Sequence, residues 1–154
     1  METGKIKVKA MCLFLHNNRI LVGDARTLTG KKNGRKIVPG NFYRVLGGSI
    51  RFNETAAEGV RREIQEELQS EIENLEQIDV IENLFTYAGK QGHEIVFLFK
   101  GQLAKKKLHE QKMIHIIEDG YEFDAKWVSF DMLLNGDTPL YPSFDYKSYF
   151  KQLF

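Results

Sequence analysis

The sequence predicts an α/β domain built around a mixed β-sheet. Segments rich in β-branched and aromatic residues lie in both halves of the chain, with one strongly amphipathic helix between them. No internal repeat or low-complexity segment interrupts this pattern. A length of 154 residues with 42% hydrophobic residues suits a single core, so we expect one domain, 1–154, without a hinge.

The N-terminal segment is expected to form a β-hairpin. Residues 6–15 begin with alternating apolar positions and continue as an apolar run, which is typical of a strand that enters a core. Asn17 and Asn18 can form the turn, because Asn tolerates positive φ, and residues 19–25 supply the second strand. Cys12 has apolar neighbours, so we expect a reduced thiol buried in the first strand.

A long loop and the best helix of the sequence follow. Residues 26–41 contain three glycines, a proline and several lysines and arginines, so we expect a long excursion there. Residues 42–48 (FYRVLGG) predict a short strand that ends in glycine, and residues 55–69 predict the helix. Thr55 and Glu58 mark its start as a capping box, in which the hydroxyl binds a free amide and the carboxylate reaches back.

The second half of the chain predicts a further hairpin, another strand and two short helices. Residues 78–88 and 94–103 are expected to be the hairpin strands, with the turn at 89–93. The remaining expected elements are a polar connection at 104–110, a strand around Trp127, a short helix that Asp131 caps and that runs through Leu134, and a helical tail at 145–154 that packs on the body.

Charge and apolar content exclude some functional classes. The 22 Lys and Arg residues nearly balance the 21 Asp and Glu residues, so a formal charge of +1 gives no global field for nucleic acid or a membrane surface. The start, METGKIKVK, lacks the apolar core of a signal peptide, and no apolar run approaches the ~20 residues that span a bilayer. We therefore expect a cytoplasmic protein without a membrane partner.

The helix at 55–69 carries its charges in an unusual place. Three glutamates, Glu63, Glu66 and Glu67, converge beside its apolar stripe, toward the helix C-terminus. Like charges at these spacings cost ~0.2–0.5 kcal/mol per pair, and the helix dipole disfavours each anion by a further ~0.3–1 kcal/mol. A divalent cation would reverse both penalties, and hard oxygen ligands suit Mg²⁺ or Mn²⁺. The apolar stripe consists of Ala57, Val60, Ile64 and Leu68.

Glycines near these glutamates favour a cation site. Gly59 lies mid-helix on the carboxylate face, where a missing side chain leaves room for an approaching group. Gly47 and Gly48 precede the turn into the helix, and their bare backbone can offer a carbonyl oxygen to the same cation. The alternative is a solvated acidic face that Arg61 and Arg62 partly neutralise.

The same residues resemble a known signature. The segment GSIRFNETAAEGVRREIQEEL, at the start of 48–70, resembles the Nudix box of the MutT-like Nudix hydrolases. The family usually continues with glycine and an aliphatic residue, whereas this chain has Gln69 and Ser70, so we expect a change in the helix exit and not in the ligands. The resemblance implies a Nudix αβα sandwich with a central mixed β-sheet. The matching positions are Gly48, Glu54, Arg62, Glu63, Ile64, Glu66 and Glu67.

The resemblance also implies a reaction and the residues that support it. Water would attack a phosphorus of a nucleoside-diphosphate-linked substrate, such as a nucleoside triphosphate, an ADP-ribose-like compound or a dinucleoside polyphosphate. Glu54 and Arg62, together with Gly48, would hold the box in shape. The expected ligands of Mg²⁺ or Mn²⁺ are the carbonyl of Gly47 and the carboxylates of Glu63, Glu66 and Glu67.

Some assignments stay open at this point. Either Glu66 or Glu67 can serve as the general base, and the sequence does not rank them. Family members often supply a further acid from a later loop. Here that loop offers Glu118, Asp119 and Glu122, of which we favour Glu122, although an exposed loop acid is an equal alternative.

Substrate contacts and partners are less constrained. Arg44 and Arg51 flank the Gly-Gly turn and are candidate phosphate contacts, with an ordinary surface role as the alternative. The basic segment 31–36 has the same two interpretations. A small-molecule nucleotide is the expected partner, and the resemblance also allows a homodimer. Two other functions stay open: a Nudix-fold nucleotide-binding or sensor domain with weak or no catalysis, and a structural cation site.

Overall fold

A computed structural model describes residues 4–153, so residues 1–3 and 154 of the expected domain lie outside the described part. The strands are β1 (Ile6–His16), β2 (Arg19–Lys32), β3 (Arg35–Lys36), β4 (Tyr43–Ser49), β5 (Ile72–Tyr87), β6 (Lys90–Leu103), β7 (Ile114–Glu118), β8 (Tyr121–Ser129) and β9 (Leu140–Tyr141). The helices are α1 (Ala56–Leu68), α2 (Phe130–Asn135) and α3 (Tyr146–Lys151), with a 3-10 helix at Lys106–Glu110.

The chain folds into two compact units. The first comprises the described residues up to Phe14 together with Leu46–Lys105, and the second comprises Leu15–Val45 together with the described residues from Lys106 onward. Strands β1 and β4 have residues in both units. The expectation of one domain without a hinge stays a prediction.

The first unit is a sheet that carries α1. Its strand order is β5-β6-β1-β4, in which β1 and β6 are parallel and the other neighbours are antiparallel. Three residues of the expected apolar stripe of α1 are buried, with Val60 and Ile64 fully inaccessible to solvent and Leu68 nearly so, whereas Ala57 is half-buried. Cys12 is a buried free thiol, as expected, and burial raises its pKa, so it stays protonated.

The second unit also contains both parallel and antiparallel strand pairs. Strands β2, β7 and β8 form antiparallel pairs, the first residues of β4 pair antiparallel with β2, and β9 runs parallel to β4. Phe130 of α2 and Phe150 of α3 stack with their ring centroids 4.4 Å apart. Phe150 is buried, so the helical tail packs on this unit. The predicted α/β class with mixed strand pairing is confirmed.

The first hairpin has the expected turn, but the prediction of a long loop at 26–41 is partly wrong. Asn17 and Asn18 have φ of 49° and 59°, which suits a tight hairpin turn. Strand β2 then continues through much of the predicted loop and pairs with β3. Gly30, with φ of 105°, allows this, because a Cβ there would lie 2.3 Å from the Gly120 carbonyl oxygen.

The second hairpin is longer than expected, and its turn is not at 89–93. Ala88 and Gly89 form a two-residue turn with φ of 52° and 79°. Two successive positive φ values match the twist of the flanking strands, so β6 begins directly after Gly89. His93 therefore lies within β6 and not in a turn.

The short helices differ from expectation at one cap. Ser129, and not Asp131, is the N-cap of α2, because the Ser129 hydroxyl accepts a hydrogen bond of 3.2 Å from the Met132 backbone N–H. Asp145 caps α3, with its carboxylate accepting from the Ser148 backbone N–H. No helix among residues 4–153 is long and apolar enough to cross a membrane.

Candidate active site

Both ends of helix α1 have well-defined caps. Thr55 is extended, and its hydroxyl oxygen accepts from the Glu58 backbone N–H at 3.1 Å. The Glu58 carboxylate reaches back and accepts from the Thr55 hydroxyl, whereas the carboxylate of a capping box accepts from the backbone N–H of the N-cap residue. The helix ends at Gln69, which has φ of 50° and ψ of 44°. This left-handed position commonly holds glycine, so the departure from the family pattern does lie at the helix exit.

Arg62 of α1 fastens the preceding loop to the helix. Its guanidinium donates two hydrogen bonds to the Glu54 carboxylate, at 2.8 and 3.0 Å, and one of 2.9 Å to the Ser49 carbonyl oxygen. The two bonds from Arg62 to Glu54, together with one from the Arg51 backbone N–H, hold the pKa of Glu54 down to about 2. The same pairing raises the pKa of Arg62. Both groups therefore stay charged, which is the arrangement expected of a supporting pair.

Two of the predicted metal ligands lie close together. Glu63 and Glu67 each offer a carboxylate oxygen within 4.8 Å of the other. Glu67 is buried, and the Glu63 side chain is only 12% exposed, with one oxygen 3.0 Å from Arg62 Nη1. Anionic oxygens held this close under restricted solvent access are costly unless a cation joins them. The donor set therefore fits a hard divalent cation.

Glycine makes room for this pair, but not at the expected position. A Cβ at Gly48 would lie only 2.4 Å from Cδ of Glu63, so the Glu63 carboxylate occupies the space of the missing side chain. At Gly59 a Cβ would meet the Glu54 carboxylate at 3.1 Å. The gap at Gly59 is thus taken by the loop, and the expectation that it admits an approaching group is wrong.

Gly47 and Glu66 have distinct surroundings. A Cβ at Gly47, where φ is 151°, would lie 2.1 Å from the Ala10 carbonyl oxygen, so β1 and β4 approach closely there. Glu66 is more exposed than the Glu63 and Glu67 carboxylates, and Glu66 Oε1 lies 3.5 Å from Arg62 and 3.7 Å from Arg51. The ligand roles of Gly47 and Glu66 stay predictions.

In the second unit, the favoured later acid already has a partner. Glu122 of β8 lies 3.6 Å from His115 Nε2, and the other imidazole nitrogen lies 2.8 Å from Asp124. The hydrogen bond with Asp124 and the nearby charge of Glu122 raise the pKa of His115. Sequence reasoning missed this cluster, which the antiparallel register of β7 and β8 creates by placing His115 opposite Asp124. Within residues 4–153, Glu118 forms no ion pair.

The guanidinium of Arg44 stacks on an aromatic ring of β8. Its guanidinium carbon is 5.9 Å from the centroid of Phe123. Both residues line a shallow cavity that is open to solvent, together with Phe42 and Leu28. The contact with substrate phosphate stays a prediction for Arg44.

A charge cluster around the buried Asp24 supports the second unit. The Asp24 side chain is 7% exposed and lies 2.9 Å from Arg26 Nε and 3.1 Å from Lys126 Nζ. Burial raises the pKa of Asp24, but hydrogen bonds from Arg26 and Lys126 outweigh it and hold the pKa at about 2. Both cations also lie over the Tyr43 ring, at 5.2 and 5.3 Å from its centroid.

Comparisons with known proteins agree with this geometry. A sequence model described as the NUDIX domain matches residues 6–150. The fold is similar to that of a MutT NUDIX hydrolase from Burkholderia pseudomallei, with a TM-score of 0.58 and 19% identity over 97% of this chain and 99% of that one. It is also similar to a MutT protein from Bacillus halodurans, with a TM-score of 0.57 and 18% identity over 96% and 82% of the two chains.

The structural similarity establishes the fold alone, since sequence identities below 20% do not support a closer relationship. The family assignment rests on the domain match, since that match covers most of the chain. The matched residues include helix α1, which holds Glu63 and Glu67, and the loop before it. The resemblance drawn from residues 48–70 is thereby confirmed, and the chain belongs to the NUDIX family as a Nudix-type hydrolase.

Proposed function

We propose that this protein is a divalent-metal-dependent hydrolase that cleaves the diphosphate linkage of a nucleoside-diphosphate-linked substrate. The observation that carries the proposal is the Glu63–Glu67 carboxylate pair, whose oxygens lie within 4.8 Å of each other on α1. The Arg62–Glu54 pair fixes the adjoining loop, and Arg62 Nη1 lies 3.0 Å from Glu63 Oε1, so the Glu63 carboxylate is oriented before any ligand arrives.

Glu63 and Glu67 would hold Mg²⁺ or Mn²⁺, with Glu66 and the Gly47 carbonyl as further ligands. Such a cation, when bound, polarises phosphoryl oxygens and lowers the pKa of a coordinated water. Gly48 gives Glu63 the space to reach this position, because any larger residue would displace its carboxylate. Glu54 and Arg62 act as positioning residues, since they orient the loop and one oxygen of Glu63.

A carboxylate of α1 must also accept the proton of the attacking water. Glu66 and Glu67 are the two candidates, and they differ in accessibility: the Glu66 side chain is 50% exposed, whereas Glu67 is buried. For the acid that family members often take from a later loop, Glu118 becomes a stronger candidate than Glu122. The reason is that Glu122 is already paired with His115.

The substrate's phosphates require cationic contacts. Arg51 is suited to this role, because its side chain is 65% exposed and lies 3.7 Å from Glu66. Arg44 is the second candidate, because it lines the shallow cavity together with Phe123. A cytoplasmic location and a homodimer stay predictions from the sequence.

A substrate panel tests the proposal. The protein is incubated with nucleoside triphosphates, sugar nucleotides, dinucleotides and dinucleoside polyphosphates, in Mg²⁺, in Mn²⁺ and in EDTA, at neutral and alkaline pH. We expect cleavage of at least one substrate class with either metal and none in EDTA. Absence of cleavage across the panel would contradict the proposal. Glu118→Gln and Glu122→Gln, compared on the cleaved substrate, then identify the later acid, with the larger loss expected for Glu118→Gln.

Two other functions make different predictions on the same protein. A sensor domain would bind a nucleotide tightly in calorimetry without turning it over. A structural cation site would raise the melting temperature in Mg²⁺ relative to EDTA, with no further change on adding nucleotide. The intact acidic positions of the box favour the hydrolase over both.

A further inference from the structure

The loop before α1 presents a fully exposed aromatic side chain. Phe52 is 98% exposed, whereas the next most exposed large apolar residues of the described chain, Ile117 and Leu84, are 70% and 69% exposed. Folding buries almost nothing of the Phe52 ring, so the ring contributes almost nothing to the stability of the fold. Single exposed apolar side chains are ordinary at surfaces. What distinguishes Phe52 is the way its backbone is held.

Phe52 is the second residue of a tightly fastened turn. The Glu54 backbone N–H donates to the Arg51 carbonyl oxygen at 3.2 Å, and Asn53 has φ of 69°. The Arg51 backbone N–H donates to the Glu54 carboxylate at 3.0 Å. Because Arg62 binds the same carboxylate through two hydrogen bonds, the turn is joined rigidly to α1.

The turn is also next to the glutamates of α1. Arg51 Nη2 lies 3.7 Å from Glu66 Oε1, and the Cα atoms of Arg51 and Phe52 are separated by the ~3.8 Å of a trans peptide. An aromatic ring on a fixed backbone loses little conformational freedom when it is covered by a ligand. Phe52 therefore carries an apolar ring on a fixed backbone, one residue from the arginine that reaches Glu66.

We propose that Phe52 stacks on the nucleobase of the substrate while the substrate's phosphates lie at the α1 glutamates. This inference rests on the proposed function, because a nucleobase is present only if the diphosphate belongs to a nucleotide. Stacking on an aromatic ring tolerates every base, since each base has a π-face. Phe52 thus selects nucleotides over base-free polyphosphates without selecting strongly among bases.

Steady-state kinetics test the proposal with two kinds of substrate. The wild type, Phe52→Ala and Phe52→Trp are compared on the cleaved nucleotide and on inorganic tripolyphosphate, which has no base. Leu84→Ala is the matched control, because it also truncates a largely exposed apolar side chain of the same unit. We expect Phe52→Ala to raise KM for the nucleotide about 10-fold. We expect kcat, tripolyphosphate cleavage and the melting temperature to stay unchanged, and Phe52→Trp to restore KM.

Two outcomes would overturn the proposal. An unchanged KM of Phe52→Ala for the nucleotide would show that the ring does not contact the base. An equal loss on nucleotide and tripolyphosphate would show that the substitution disturbs the turn instead. Fluorescence of Phe52→Trp, measured against the wild type with its single Trp127, decides the question even if no substrate is cleaved. Saturable quenching by ATP but not by tripolyphosphate supports stacking, and its absence refutes it.

Discussion

Substituting Gly48 by alanine tests whether Glu63 is a metal ligand. The new Cβ would lie 2.4 Å from Glu63 Cδ and 2.6 Å from both carboxylate oxygens. Ordinary contact begins at 3.4 Å, so the carboxylate must move by about 1 Å. A displacement of ~1 Å in a catalytic arrangement can cost about 100-fold in rate. We therefore expect Gly48→Ala to lose about 100-fold in kcat/KM and to bind Mg²⁺ more weakly.

The fold should tolerate this substitution. The atoms that must move are the end of a flexible side chain, and Gly48 has no positive φ that alanine would strain. Hydrolysis at varied Mg²⁺ concentration, with a thermal melt of each variant, separates the metal site from stability. Gly4→Ala is the control, because a Cβ there meets nothing within 4 Å. Full activity and unchanged metal affinity in a folded Gly48→Ala protein would refute the role of Glu63.

Three further substitutions address the supporting interactions. Asp24→Asn should destabilise the protein by about 2 kcal/mol at pH 7. In the folded protein the pKa of Asp24 is lowered to about 2. The stability difference, measured by urea unfolding, should therefore persist above pH 4 and vanish as the pH falls toward 2. Equal stability of the two proteins at pH 7 would contradict this prediction. Arg62→Lys loses the paired hydrogen bonds to Glu54 and should lower kcat/KM ~10–100-fold, unlike the control Arg61→Lys. Gln69→Gly should stabilise the fold by ~1 kcal/mol in the same unfolding assay, because φ there is 50°; a loss of stability would count against that reasoning.

The helix and its charges were predictable because their signals are local. The spacing of Val60, Ile64 and Leu68 fixes one buried face, and a hydroxyl at Thr55 satisfies a backbone amide wherever the rest of the chain lies. The box residues Glu54 and Arg62 meet across one loop, so their pairing follows from a fixed separation in sequence.

The parts that sequence reasoning misjudged depend on contacts between distant segments. Gly30 reads as a loop residue, yet it permits β2 to pass close to Gly120, which is far away in the chain. The missing side chain at Gly59 predicts room for an approaching group, but the Glu54 carboxylate fills that space. The pairing of His115 with Glu122 and Asp124 is also not apparent from the sequence, because His115 comes opposite Asp124 only when β7 and β8 pair in register. Periodicity along a single segment contains none of this information.

The most direct test of the account is the metal-dependent cleavage rate of the wild type beside those of Glu66→Gln and Glu67→Gln. The three proteins are assayed on the substrate found in the panel, in Mg²⁺ and in EDTA, with melting temperatures recorded. The account predicts cleavage by the wild type only with the metal, and loss of most activity in both variants while they remain folded. Full activity in both glutamine variants, or wild-type cleavage that persists in EDTA, would contradict it.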